Sequence, residues 1–301
     1  MIHLHSMDDL YRLFHLGSAK HPLVAVMDFS KVIDELPNNT RIVTDFYSIM
    51  FKNYCKNKLR YGRKEIDFQD GSLICVAPNQ VIELDSDIEI KDDMIGWGLF
   101  FHPDLIRGTV LQDNINKHGY FSYDVTEALH LSEKERTILF ECVQSIDEEL
   151  NENIDVHSQN IIVSNIDLLL NYCLRYYGRQ MITRSNSNKS VINKVEFLLR
   201  DHFRSEASHT LGWPSVAYLA EKVHLSPSYL SDLLKSATGK TAQEHIHYHL
   251  IEAAKDILIS SDKNISEIAL QLGFAHPNYF NKLFKSKTGR TPVEFRNRID
   301  N

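Results

Sequence analysis

Four cysteines are scattered through this 301-residue chain, at Cys55, Cys75, Cys142 and Cys173, and no two stand in Cys-x-x-Cys spacing. That scarcity argues against a disulfide scaffold and for reduced thiols in a cytoplasmic protein. No apolar run approaches the ~20 residues that cross a bilayer, so no membrane partner is expected. The opening MIHLHSMDDLYRL lacks the basic start and apolar stretch of a secretion signal. Neither a glycine-rich phosphate loop nor a Gly-x-Ser-x-Gly elbow occurs, which removes two common routes to an enzyme. What remains is ordinary: 43% hydrophobic and 24% charged residues, in a length that suits two domains or three.

Charge is unevenly divided. Residues 1–188 carry 18 Lys and Arg against 28 Asp and Glu, a balance of −10, whereas residues 189–301 carry 15 against 12, a balance of +3. Between the halves, TRSNSNKS at 183–190 is polar and reads as the core of a linker over 181–190. Ahead of it, Ser132 and Glu135 have capping-box spacing, and Leu139, Cys142 or Val143, Ile146 and Leu150 follow on one helix face. A second helix sets Ile162, Ile166, Leu169, Cys173 and Tyr176 together, with Gly178 as a stop. The pair predicts an antiparallel hairpin over 131–180, packed on the preceding domain or on a second copy of the chain.

Residues 1–130 read differently. Residues 41–52 alternate as one strand, Tyr61-Gly62 and Asp70-Gly71 mark turns, and GSLICVAP and MIGWGLFFHP add short apolar runs. Several short strands at close spacing predict a small β-barrel or sandwich. The acidic run Asp85, Asp87, Glu89, Asp92 and Asp93 reads as a solvated loop or edge.

The C-terminal part contains a repeat. VHLSPSYLSDLLKSATGKTA, ending at Ala242, runs in step with LGFAHPNYFNKLFKSKTGRTP, ending at Pro292. Tyr229 and Tyr279, Leu233 and Leu283, Lys235 and Lys285, Thr238 and Thr288, and Gly239 and Gly289 are identical pairs. Upstream the offset drops by one, which puts one extra residue in the second turn, where Gly273 is found. Each copy predicts a short helix, a turn and a second helix opened by Pro227 or Pro277. Asn264 with Glu267, and Ser215, are the expected caps of the first helices. Leu230, Leu233 and Leu234, matched by Phe280, Leu283 and Phe284, form a buried stripe. The opposite face holds Ser228, Asp232 and Lys235, matched by Asn278, Lys282 and Lys285, with Ser231 and Asn281 at its flanks. Such side chains can read base edges or grip phosphates. Between the copies, TAQEHIHYHLIEAAKDILISS is one continuous helical pattern able to hold them at a fixed separation.

On these residues the chain resembles the AraC/XylS-type bacterial transcription regulators over about 191–299, through LAEKVHLSPSYLSDLLKSATGKT, AAKDIL and ISEIALQLGFAHPNYFNKLFKSKTGRTPVEFR. The resemblance implies an α+β chain. A cupin-like β-barrel over 1–130 and the helical hairpin would serve effector sensing or dimerisation, and an all-α domain over 191–301 would carry two helix-turn-helix units. Double-stranded DNA is then the expected partner, with a small-molecule effector and a homodimer as candidates, and RNA polymerase if the chain activates. Ser228, Ser231, Asn278 and Asn281 are candidates for base contacts, and Lys235, Lys240, Lys282, Lys285 and Arg290 for phosphates. Ser226, Tyr229, Asp232, His276 and Tyr279 complete the expected DNA-binding surface. Asp232 and His249 stand where such regulators often carry basic residues, which makes the second unit the stronger electrostatic grip.

A small-molecule-binding or enzymatic cupin-like protein is the alternative, with the C-terminal domain as a tether. Metal chemistry there needs an inward His-x-His with a carboxylate and a later histidine, yet residues 40–90 contain no histidine and His102 stands alone. No cofactor, metal or catalytic residue is therefore expected. His245 and His249 are four apart, a spacing that suits zinc, but Glu252 is their one evident neighbour and an exposed or DNA-side helix face is the expectation. His3 and His5 are expected at a mobile terminus.

Overall fold

The computed structural model describes residues 1–32, 40–52, 59–61, 64–66, 71–84, 96–124, 127–183, 185–204 and 212–297. Two compact units are present, Met1–Gln180 and Met181–Asn301. The acidic run, Cys55 and the Gly62 and Asp70 turn positions lie outside the described residues.

The first unit is mixed α and β. Among the described residues, ten strands pair into two five-stranded sheets. One has the order β1 (Ile2–Leu4), β3 (Thr40–Thr44), β8 (Val81–Leu84), β5 (Leu59–Tyr61), β6 (Lys64–Ile66). The other runs β10 (Leu129–His130), β7 (Ser72–Val76), β4 (Tyr47–Lys52), β9 (Gly96–Phe101), β2 (Val24–Asp28). The alternating segment expected as one strand is two, β3 and β4, and they belong to different sheets. The break falls at Asp45-Phe46, where the Phe46 ring is fully buried and the Thr44 hydroxyl donates to the Phe46 carbonyl at 2.9 Å. Among the described residues both sheets are open and lie as two layers, and a closed barrel is not seen among them. Leu4 and Ile42 from one layer and Met27 and Phe100 from the other share a core with Met7 and Leu10 of α1 (Met7–Leu13). Gly98 of β9 is required by this packing, since a Cβ there would sit 2.5 Å from the Phe100 ring and 2.8 Å from that of Phe29.

After the short α2 (Val110–Asn114), the helices α3 (Glu133–Asn151) and α4 (Ser158–Thr183) form the hairpin. Ser132 and Glu135 make the capping box, and every residue expected on the two apolar faces is buried. The hairpin packs on its own unit. Tyr120 donates to the Leu170 carbonyl at 2.9 Å, and the buried Cys173 of α4 lies beside the Cys75 thiol of β7. Burial pushes the Cys75 thiol well up, which keeps it protonated and inert. Gly178 does not stop α4, because the turn after it is anchored: Arg179 pairs with Glu135 at 2.8 Å and Gln180 bonds the backbone of Ala128 and His130.

The second unit is helical. α5 (Ser185–Arg204) begins one residue past the end of α4, so most of the polar 183–190 stretch is helix instead of an irregular linker. There the Asn188 amide is buried and donates to the Met181 carbonyl. Then come α6 (Val216–Val223), α7 (Pro227–Thr238), α8 (Ala242–Ser260), α9 (Ile265–Gln271), α10 (Pro277–Thr288) and α11 (Pro292–Asn297). One continuous core joins α5, both helix pairs and α8, with Leu199, Leu230, Leu250, Ile268, Phe280 and Phe284 at its centre.

Candidate nucleic-acid interface

Two helix pairs, α6 with α7 and α9 with α10, repeat in hydrogen-bonding detail. The Ser215 hydroxyl accepts from the Tyr218 N–H, and Asn264 with Glu267 closes a capping box. Gly239 and Gly289 both end their helices at φ 78°, each donating to the carbonyl of the lysine four residues earlier. Thr238 then donates to Leu234 O at 2.7 Å and Thr288 to Phe284 O at 2.8 Å. Beyond the glycines, Thr241 with Glu244 and Thr291 with Glu294 cap the following helices in the same way.

The turns locate the extra residue. Leu225 N–H donates to Ala220 O at 3.0 Å, and Phe274 N–H donates to Ala269 O at 2.9 Å. His224 at φ 60° therefore matches Gly273 at φ 81°. Gly273 is thus the counterpart of a residue in the first copy, and the inserted position follows it at Ala275, just before the cap residue His276.

The expected buried stripe is buried throughout, from Leu230, Leu233 and Leu234 to Phe280, Leu283 and Phe284. Its opposite face is open. Lys235, Lys240, His276, Asn278, Tyr279, Lys282, Lys285 and Arg290 are exposed, while Ser228, Ser231, Asp232 and Asn281 are half-buried. Tyr229 is a correction, because only 5% of it is exposed whereas its repeat partner Tyr279 is 54% exposed. A ring packed into the core cannot reach a groove. Two serines are partly committed elsewhere: Ser226 accepts from the Tyr229 N–H at 3.2 Å, and Ser231 from the Ala242 N–H at 3.4 Å.

Cations from both pairs converge near the start of α8. The Thr241 backbone and hydroxyl hold the Glu244 carboxyl below its usual range, with Lys287 and Lys235 adding to the effect. Glu294 is lowered in the same way by Thr291, then by Lys285 and Arg290. Burial, and then Lys287, lowers the His247 imidazole. Lys240 places its amine 4.4 Å from the centre of the Tyr248 ring.

Three positions that shape this unit escaped the sequence reading. Lys287 is exposed and its charge helps lower the Glu244 carboxyl, and its signal was the Lys-x-Lys spacing with Lys285. Trp213 donates to Leu272 O at 2.8 Å, meets the Phe274 ring edge-on and stacks with Tyr279, tying the segment before α6 to the second turn. Glu196 of α5 bridges His245 at 2.8 Å and His249 at 2.6 Å. These histidines are buried, contrary to the exposed face expected of them, and their carboxylate partner is not Glu252, which pairs with Lys255. No local signal links residues so far apart in sequence.

A family model described as a helix-turn-helix domain matches residues 219–298. An uncharacterized HTH-type transcriptional regulator of Escherichia coli, YijO, is 29% identical over 154 residues, 51% of this chain and 50% of that protein. The bifunctional transcriptional activator/DNA repair enzyme AdaA of Bacillus subtilis is 42% identical over 78 residues, 26% of this chain and 37% of its own. This chain thus spans half the length of the first relative and less of the second. A longer, weaker likeness reaches the Msm operon regulatory protein of Streptococcus mutans, 22% identical over 86% of this chain and 87% of that one. The matched segment takes in most of α6 and all of α7 to α11, and residues 219–298 form a helix-turn-helix domain of the AraC type.

Proposed function

We propose that the chain is a sequence-specific, DNA-binding transcription regulator whose helices α7 and α10 enter successive major grooves. The observation that carries this reading is the duplicated helix pair on one shared core, with exposed cations on the outer face of each copy. The linking helix α8 has 19 residues, about 28 Å at 1.5 Å per residue. That length is of the order of the ~34 Å between successive grooves on one side of B-DNA. Lys235, Lys240, Lys282, Lys285, Lys287 and Arg290 supply phosphate contacts, and Ser228, Asn278 and Asn281 reach base edges. Asp232 accepts from a cytosine amine.

The unit Met1–Gln180 takes the sensing or pairing role in this reading. Ile161 and Leu168, seven residues apart on α4 and 43% and 47% exposed, support contact with a second copy. A cupin-like cavity for a small effector and a contact to RNA polymerase are further parts of the proposal.

The test is fluorescence anisotropy of the full chain on fragments of its source genome at two salt concentrations, with sequencing of the DNA retained at the higher one. A motif with two half-elements one turn apart is the expected result; binding that vanishes uniformly with salt would count against sequence reading. Asn281→Ala is expected to relax preference at one or two base pairs by about 1–3 kcal/mol. Equal losses on the recovered motif and on random DNA would remove Asn281 from the base-reading set.

A further inference from the structure

The N-terminal histidines are not at a loose end. β1 pairs in parallel with β3, His3 opposite Val43 and Leu4 opposite Thr44, and the Asp45 N–H donates to the Leu4 carbonyl at 3.0 Å. His3 in β1 and His5 just beyond its end are two apart, and their ring centroids lie 4.1 Å from each other on one side. Both meet the Asp45 carboxylate, His3 Nε2 at 2.6 Å from Oδ1 and His5 Nδ1 at 2.7 Å from Oδ2. The three donor atoms lie within 4.8 Å of one another.

We propose that His3, His5 and Asp45 bind a divalent transition-metal cation, zinc foremost, clipping β1 to the turn between β3 and β4. Two imidazole nitrogens and one carboxylate oxygen are a borderline-soft donor set, suited to zinc, nickel, cobalt or copper and unsuited to magnesium or calcium. Three protein ligands leave a fourth position for water or an outside ligand. Tetrahedral zinc, at about 2.0–2.1 Å from each donor, sets neighbouring donors about 3.3 Å apart. On that geometry each imidazole draws back from its carboxylate oxygen by roughly 0.6–0.7 Å, while the wider donor pairs, within 4.8 Å, close towards the same spacing; the side chains of His3 and His5, 40% and 64% exposed, are free to make that adjustment.

The neighbouring carboxylate has another task. Asp9 accepts from the His5 and Ser6 N–H groups and pairs with Arg12 at 2.6 Å, so it orients the His5 backbone and adds no ligand. A contrast lies in the second unit, where Glu196 bridges two buried histidines. His245 there has both ring nitrogens engaged, one by Glu196 and the other by Thr238 at 2.8 Å, which makes that cluster structural. This proposal does not depend on the DNA-binding reading.

Isothermal titration of the tag-free full chain with zinc alone tests it. One zinc per chain is expected, with affinity falling about tenfold or more in His3→Ala, His5→Ala and Asp45→Ala, and little changed in the control His157→Ala. Asp45→Asn keeps the shape of the turn and guards against a folding defect, which circular dichroism of each variant checks. Copper-loaded protein should show two imidazole nitrogens by electron paramagnetic resonance, and one after His5→Ala. No one-to-one zinc binding by the unaltered chain, or unchanged affinity in any of the three alanine variants, overturns the proposal.

Discussion

The two helix pairs of the C-terminal unit share a backbone and differ at their outer ends. Their stripes, C-terminal glycines and following caps coincide bond for bond. The first pair enters its second helix through Ser226, whose hydroxyl caps the helix, and buries Tyr229. The second enters through Ala275 and His276, has no side-chain cap, exposes Tyr279, and adds Lys282 and Lys287 where the first copy has Asp232 and Ala237. Stability is therefore stored in what the copies share, and their surface chemistry lies in what they do not.

The largest effects should come from the shared core. Phe284→Ala is expected to cost about 3–5 kcal/mol and Leu234→Ala about 2–5 kcal/mol, read by urea unfolding. Because one core joins the pairs, each substitution should destabilise both together; a transition confined to one pair would break the comparison. Charge should separate the copies next. Lys285→Ala should weaken binding to every DNA sequence and flatten the salt slope by ~1. Removing Lys282, Lys285 and Arg290 together should cost more affinity than removing Lys235 and Lys240 at the same salt, and equal losses would make the grip symmetric.

Backbone strain distinguishes the turns more finely. Gly273→Ala places a side chain in the left-handed region and should cost about 1–2 kcal/mol of unfolding free energy. His224→Gly at the matched position should change stability by under about 0.5 kcal/mol, since relief of the left-handed backbone is offset by a freer unfolded chain. The smallest contrast is at the caps: Ser226→Ala should lose about 1 kcal/mol and His276→Ala only a few tenths. A His276→Ala loss as large as that of Ser226→Ala would show that the ring supports the helix after all.

Much of the C-terminal unit was legible because its signals are local. Capping boxes, proline at a first helical position, glycine after a last one and a stripe at helical spacing each need only a few neighbouring residues. The same reading stopped α4 at Gly178, overlooking that Arg179 and Gln180 are held by residues over forty positions away. It joined β3 to β4 because alternation continues through Asp45 and Phe46, while the buried Phe46 ring turns the chain between two sheets. Strand partners, unlike caps, are distant in sequence, so the layering of the first unit was the harder part.

By itself, the sequence determined the repeat, its stripe, its caps and the cations on its outer face, since helix periodicity and end-capping are properties of short segments. Tertiary structure alone decided that Tyr229 faces inward and Tyr279 outward, that Glu196 meets His245 and His249, and that Asp45 meets His3 and His5. Each of these depends on which surfaces the folded chain brings together across roughly forty or more residues, a choice made by packing the whole core and by no window along the chain.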